Sequence, residues 1–338
     1  MTYYITTILV YLGIDVLAIW GLNVQYGLCG VYNFGFILFQ ASGAYTAAIL
    51  TLGPSSGNGG YQSYFFGASL PFPLPILVAG VVAAIIGVIF GLLTRRVGED
   101  YLAVLTFVLA VVAILVVSAA VSFLNGPAGL SSVPQPLTSV LHVSLIAYSW
   151  LYVVFVALVC LLAYFSLRLL ARAPLGRVMR AVRENEKAAA SVGKNVGGLR
   201  IFALAYGGAL AGISGALLVL FISTWSPGSW EYAETLTAFS AIIVGGTGNL
   251  YGAALGAFVV QILIFELPRF LPQVSAANLV GSLQWIVIGV LTLGFMWWRP
   301  QGLLPERKRS YDISWPVRQR TVRPIGTTPA GGVEMERE

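Results

Sequence analysis

The sequence predicts an all-α, polytopic membrane protein, and three observations carry that reading. Of its 338 residues, 58% are hydrophobic and 9% are charged, against about 25% charged in an ordinary soluble domain. Mean hydropathy is +0.85; a soluble fold of this size has too little interior to hide so much apolar surface. Apolar runs near the ~20 residues that a helix needs to cross the hydrocarbon core recur along the chain. Disordered chains, coiled coils, disulfide scaffolds and nearly all soluble enzymes are thereby excluded.

The clear spans are 4–22, 71–94, 101–124, 145–170, 199–224 and 279–298. Met1 to Trp20 contains no Lys or Arg and no small-residue cleavage site, so it reads as the first span and not as a cleaved signal peptide. Two further regions, 28–52 and 233–267, are apolar but interrupted by glycine. The basic residues set the topology. Arg95 and Arg96, eight residues from Arg168 to Arg200, and eight from Arg299 to Arg337 make up all but Arg269 of the 19 Lys and Arg. The positive-inside rule puts those three regions in the cytoplasm and the Lys- and Arg-free loops 53–70, 125–144 and 225–232 outside.

Parity then requires three crossings between Glu231 and Arg299. A break at Gly245-Gly246-Thr247-Gly248 supplies them, giving a short segment 233–246 and a second segment 249–267. The first, at 1.5 Å rise per residue, is too short to span unaided. Such a discontinuous or re-entrant element persists at membrane depth only when buried in protein or lining a cavity. The expectation is about nine transmembrane or re-entrant helical elements with the C-terminus cytoplasmic. The side of the N-terminus depends on whether 28–52 crosses once or twice. Residues 1–305 form the transmembrane domain, and 306–338 read as a basic, disordered tail. Trp20, Trp150, Trp225, Trp230, Trp297 and Trp298 fall near span ends, as an interfacial aromatic belt requires. Gly43-Ala44-Tyr45 and Gly256-Ala257-Phe258 look alike, the kind of echo an inverted repeat leaves.

The formal charge of +6 sits beside spans, so it reads as an orientation signal and not as a nucleic-acid surface. Cys29 and Cys160 lie in apolar runs and His142 is the one histidine, which disfavours a His/Cys metal site. No GxxxxGK[ST] phosphate loop and no paired-carboxylate or nucleophile constellation occurs within the spans. Solute movement driven by ATP would need its ATP, with Mg, on another chain.

The segment 173–194 is too polar to span. Pro174 suits a first helical turn and Gly193 a stop, predicting a cytoplasmic helix over 174–192. Leu175, Val178, Met179 and Val182 form one stripe, and Arg177, Arg180, Glu184 and Lys187 another. A helix on anionic lipid and a helix seated in a protein groove both fit. The absence of Trp or Phe anchors and the mixed charge favour the groove. In the Gly-rich regions, Asn23, Gln25, Asn33 and Gln40, with Gly246, Thr247 and Asn249, place polar groups where they are costly unless used. They are candidates for a polar solute path, although single glycines there equally serve close helix packing. Asp15 lies inside the first span and reads as a helix-packing residue or as a proton-coupling acid. Glu266 and Arg269, at a span end, read as an external ion pair; Glu231 and Glu234, on an outer loop, read as solvated rim charges in preference to contacts for solute or a binding protein.

These pieces resemble, in order and spacing, the permease subunits of bacterial branched-chain amino acid ABC importers, the LivM side of the LivH/LivM permease family. The resemblance covers roughly residues 20–305 and rests on GLNVQYGLCGVYNFGFILFQASGAYTAAIL, RRVGEDYLAVLTFVLA, LNGPAGLSSVPQP, GRVMRAVRENEKAAASVGKNV, VGGTGNLYGAALGAF and FMWWRPQGLLP. The sequence departs from the family's pattern at Phe36, Glu99 and Asn125-Gly126. The resemblance implies a heterodimeric second permease chain, two cytoplasmic ATPase subunits, an extracytoplasmic solute-binding protein, a bacterial inner-membrane location and no covalent chemistry. It places ATPase coupling on Gly176 to Gly193, at Gly176, Arg180, Arg183, Glu184, Asn185 and Ala188. Two rival classes stand beside it on residues alone: a proton-coupled carrier using Asp15, and a urea or amide channel.

Overall fold

The computed structural model describes residues 2–54, 62–95, 97–136, 144–229, 232–261 and 277–306. The predicted tail from 307 onward, His142, Glu231, Trp230, Glu266 and Arg269 lie outside the described residues.

Among the described residues the chain is almost wholly helical, as an apolar chain that must satisfy its own backbone groups requires. The helices are α1 (Thr2–Leu22, continuing as a π-helix over Asn23–Leu28), α2 (Ile37–Thr51), α3 (Leu74–Thr94), α4 (Glu99–Ala119) and the short α5 (Val121–Leu124). They continue with α6 (Leu145–Arg172), α7 (Pro174–Glu184), α8 (Glu186–Ser191), α9 (Val196–Ile222), α10 (Tyr232–Gly245), α11 (Leu250–Phe258) and α12 (Ala277–Trp298). A two-residue ribbon pairs β1 (Leu130–Ser131) with β2 (Thr224–Trp225) antiparallel.

Five described helices are long and apolar enough to cross a membrane by themselves, six with α10 and α11 taken as one broken span. Two shorter apolar helical stretches, Ile37–Thr51 and Trp285–Trp298, stand beside these spans among the described residues. The predicted break at 245–248 is present: α10 ends at Gly245, α11 begins at Leu250, and their axes bend by 120°.

α9 is the hub, packed on α3, α2 and α1. Its small residues make this possible. Gly215 sits against the backbone carbonyl of Gln40 on α2, and Gly212 against Ala79 and Ala83 on α3. A Cβ has no room at either place, so these helices approach to backbone contact, where van der Waals packing holds spans together. α3, α4 and α6 turn rows of large apolar side chains outward, including Leu77, Val81, Ile85, Leu115, Val154 and Leu162. Such a surface suits lipid and not water.

The aromatic-belt expectation needs correction at two positions. Trp20 and Trp225 are buried at 7% and 3% exposure, whereas Trp150, Trp297 and Trp298 are exposed. Trp20 is drawn inward because its indole N–H donates to the Leu250 carbonyl at the start of α11 (2.9 Å).

Between the π-helix and α2, residues 30–36 are not helical, and two of their amides are satisfied by side chains of a neighbouring helix or of the segment itself. Phe34 N donates to Thr106 Oγ1 of α4 (3.1 Å), and Gly35 N donates to Asn33 Oδ1 (3.1 Å). At the mouth of α2, Ile37 N donates to Thr235 Oγ1 of α10 (3.2 Å). This is irregular backbone enclosed by protein, the condition for keeping it at membrane depth.

Candidate functional site

Two polar regions stand out. The first is the basic face, built on α7 and α8. The sequence predicts one helix over 174–192; the structure divides it in two. Asn185 adopts an extended backbone (φ −158°, ψ 101°) and its Oδ1 accepts from Ala188 N (2.9 Å), capping a new helix. An Asn that can cap competes with helix continuation, which is why the break falls there. Pro174 occupies the first turn of α7 and Gly193 (φ +77°) follows α8, as expected.

The buried side of this pair is Gly176, Met179, Val182 and Ala189. Gly176 lies on the backbone at Leu170 and Ala171, so α7 folds tightly under the end of α6. The outer side, with Arg177, Glu184, Asn185, Lys187 and Ala188, is exposed. Arg180 and Arg183 lie between the two sides. Arg180 donates to the Ala171 carbonyl. Arg183 donates to the Gly27 carbonyl at the end of the π-helix and pairs through Nη2 with Glu306 Oε2 (2.7 Å). Glu306 Oε1 also lies 3.6 Å from Arg180 Nε.

Glu306 begins the segment that sequence reasoning assigns to the tail, yet here it is docked. Residues 302–305 run beside the α10–α11 break: Leu303 N donates to Val244 O (2.8 Å) and Leu304 N to Gly245 O (2.9 Å). Asn249 holds the break from both directions. Its Nδ2 donates to Leu304 O (3.1 Å) and its Oδ1 accepts from Tyr251 N (3.0 Å), capping α11. Gly246 takes φ +126° against the Leu304 and Gln301 carbonyls, a conformation that needs glycine. Thr247 is half-buried in the same turn.

The amides proposed for a solute path are mostly part of this framework. Asn23 Oδ1 accepts from Gly248 N (3.0 Å), tying the π-helix to the break. Asn33 Nδ2 donates to Gln25 Oε1 (2.9 Å), and Gln25 Nε2 donates to Leu204 O of α9 (3.4 Å). All three are fully or almost fully buried. They tie the two breaks into the bundle, and none of the three lines the cavity described next.

Of the solute-path residues, Gln40 alone lines the second region, a cavity of about 380 Å³ among α1, α2, α10 and α11. Asp15, Tyr11, Phe36, Trp225, Glu234 and Gln261 also line it. Asp15 therefore lines a cavity bounded by the neighbouring helices α2, α10 and α11. It makes no hydrogen bond to a described residue.

Sequence reasoning missed Glu306 and the Arg200–Glu186 pair (2.6 Å), in which Arg200 is 4% exposed at the basic end of α9. The signal available was a basic residue placed within an otherwise apolar helix. No group of three or more metal-ligating side chains occurs among the described residues.

Broken helices whose irregular backbone is sealed inside a bundle, with a polar helix pair docked on one face, are the architecture of a membrane permease. The chain belongs to the family described as branched-chain amino acid transport system / permease component, which matches residues 4–296. It is 30% identical over 306 residues to the high-affinity branched-chain amino acid transport system permease protein LivM of Escherichia coli K12, covering 84% of this chain and 66% of that one. It thus spans just under two thirds of that relative's length. It is 26% identical to the probable LivM permease of Methanocaldococcus jannaschii (90% and 94% covered), and 28% identical to that organism's probable LivH (75% and 77%). No solved structure matches.

Proposed function

We propose that this chain is the transmembrane permease subunit of an ATP-binding-cassette importer for branched-chain amino acids or a similar small polar solute. In this reading it pairs with a homologous second permease chain in the bacterial inner membrane, with its C-terminus cytoplasmic. Two separate ATPase subunits, which hold the ATP and Mg, grip α7 and α8, and an extracytoplasmic solute-binding protein delivers the cargo. The permease does no covalent chemistry. Residues 1–305 carry transport, and the segment from 306 is a tail whose first residue is anchored.

The observation that carries this reading is the two-sided construction of α7. Its outer face is exposed, while Arg183 on its inner flank reaches Gly27 and Glu306. A push on the outer face therefore meets both breaks in the bundle: Gly27 closes the π-helix of α1, and Glu306 continues the strand of residues that braces Gly245 and Gly246. Moving elements between packed arrangements in this way is how domain closure becomes alternating access. Gly176, Arg180, Arg183, Glu184, Asn185 and Ala188 keep their assigned coupling role, Arg180 and Arg183 as transmitting groups and Glu184, Asn185 and Ala188 as the gripped surface.

Solute-stimulated ATP hydrolysis by the reconstituted complex, measured across branched-chain amino acids, other amino acids and urea, tests the assignment. Stimulation by at least one solute, dependent on this chain, supports it. Uptake or leak through the isolated chain without nucleotide overturns it.

A further inference from the structure

We propose that the groove along the C-terminal half of α12 binds one anionic phospholipid, its acyl chain in the groove and its phosphate on Arg299. The groove measures about 510 Å³. Val287, Leu291, Gly294 and Trp298 recur at helical spacing and form its length. Gly294 makes a notch: nothing lies within 4 Å of the place a Cβ there would take. Beyond the helix the chain turns at Gly302 (φ +73°), and Leu303 returns to line the groove with Arg299. Arg299 is the one charged member among the described lining residues. It is exposed and makes no ion pair with another described residue.

The length fits a lipid tail. From Val287 to Arg299 the helix rises about 18 Å at 1.5 Å per residue, and one leaflet contributes about 15 Å of hydrocarbon. The level fits a headgroup. Trp297 and Trp298, 87% and 88% exposed, directly precede Arg299, and Trp collects where hydrocarbon meets headgroups. The charge fits a phosphate. A guanidinium fork pairs with phosphate oxygens bidentately, and a cation that no described acid neutralises favours a headgroup of net negative charge. A second helix is a poorer occupant. Spans meet closely over small residues, whereas here bulky Leu291, Phe295 and Trp298 surround the single Gly294. The site stands on the groove and on Arg299; only the choice of leaflet, the cytoplasmic one, rests on the permease reading.

The full chain with its co-purifying subunits, stripped of lipid in detergent, is titrated with phosphatidylglycerol or with phosphatidylcholine of the same acyl chains. Native mass spectrometry counts the lipid bound. One phosphatidylglycerol per copy of this chain is expected, held about fivefold more tightly than phosphatidylcholine. Arg299→Gln should remove that preference. Gly294→Trp projects into open space, so it should fill the notch and abolish the retained lipid with the subunits still assembled. Equal retention of the two lipids, or phosphatidylglycerol retention unchanged in either variant, overturns the proposal. Loss of a subunit in Gly294→Trp also overturns it, since the groove would then be a protein interface. Nucleotide-driven uptake by the same complex in vesicles separates this site from the permease reading. Uptake with no preferred lipid removes the site and leaves that reading intact. A preferred lipid with no nucleotide-driven uptake does the reverse.

Discussion

The basic face and the opposite cavity use polar residues in contrary ways. Around Arg183, polar groups are engaged with the backbone of a different element: Arg183 with Gly27, Asn23 with Gly248, Asn249 with Leu304. Around Asp15, the acid and the Gln40 amide face open volume and hold no described partner. The first arrangement fixes the positions of elements relative to one another, as a transmitting structure must. The second leaves hydrogen-bonding capacity free, as a binding structure must. The two regions differ in what their polar groups face, a different element in the first and open volume in the second; the first is not fully satisfied, since Asn23 Nδ2 and Arg180 Nε are buried without a hydrogen-bond partner among the described residues.

Several substitutions probe that contrast. Arg183→Glu should have the largest effect, because it sets two acids against each other and abandons the Gly27 carbonyl. Breaking such a largely buried pair costs about 3 kcal/mol or more, so thermal unfolding should drop sharply and solute-stimulated ATPase activity should be lost. Adding Glu306→Arg should recover part of both; no recovery would mean that the pair is incidental. Asn33→Ala comes next. It strands Gln25 and the Gly35 amide, for about 1–3 kcal/mol by the cost of unsatisfied buried groups, read as a lower unfolding midpoint. Asn185→Ala removes only the cap of α8, about 1 kcal/mol. It should loosen that helix, seen as faster amide exchange over 186–191, and leave the bundle unchanged. Asp15→Asn should be the smallest, within about 0.5 kcal/mol of wild type, since no described hydrogen bond is lost. A large destabilisation there would erase the distinction between the two regions.

Much of the fold was legible because lipid imposes a simple rule on length and polarity. The long spans and the interruption at Gly245 to Gly248 follow from apolar runs and glycines. The polar segment after α6 was legible for the same reason. What was not legible depends on partners distant in the chain. Arg183 and Glu306 are 123 positions apart, and nothing local marks Glu306 as docked. Asn23, Gln25 and Asn33 have the composition expected of a solute path, and only the geometry assigns them to bracing. Trp20 has the position of an interfacial residue, but its indole N–H reaches the Leu250 carbonyl at the start of a helix 230 positions away, which holds it inward. The division at Asn185 turns on a contest between continuing one helix and capping another, which the mixed polarity of 174–192 does not decide. The close packing at Gly212 and Gly215 lies on an apolar face whose small residues carry no polar mark.

The central claim is that α7 and α8 form the surface gripped by a separate motor. Cysteine introduced at Ala188, on the exposed side, tests it most directly, since Cys29 is buried and Cys160 half-buried. In membranes holding the assembled transporter, the account predicts disulfide or maleimide cross-links from Ala188→Cys to an ATPase subunit, with a yield that changes between nucleotide-free and ATP-bound states. Cross-links to lipid alone, or a yield indifferent to nucleotide, would contradict it.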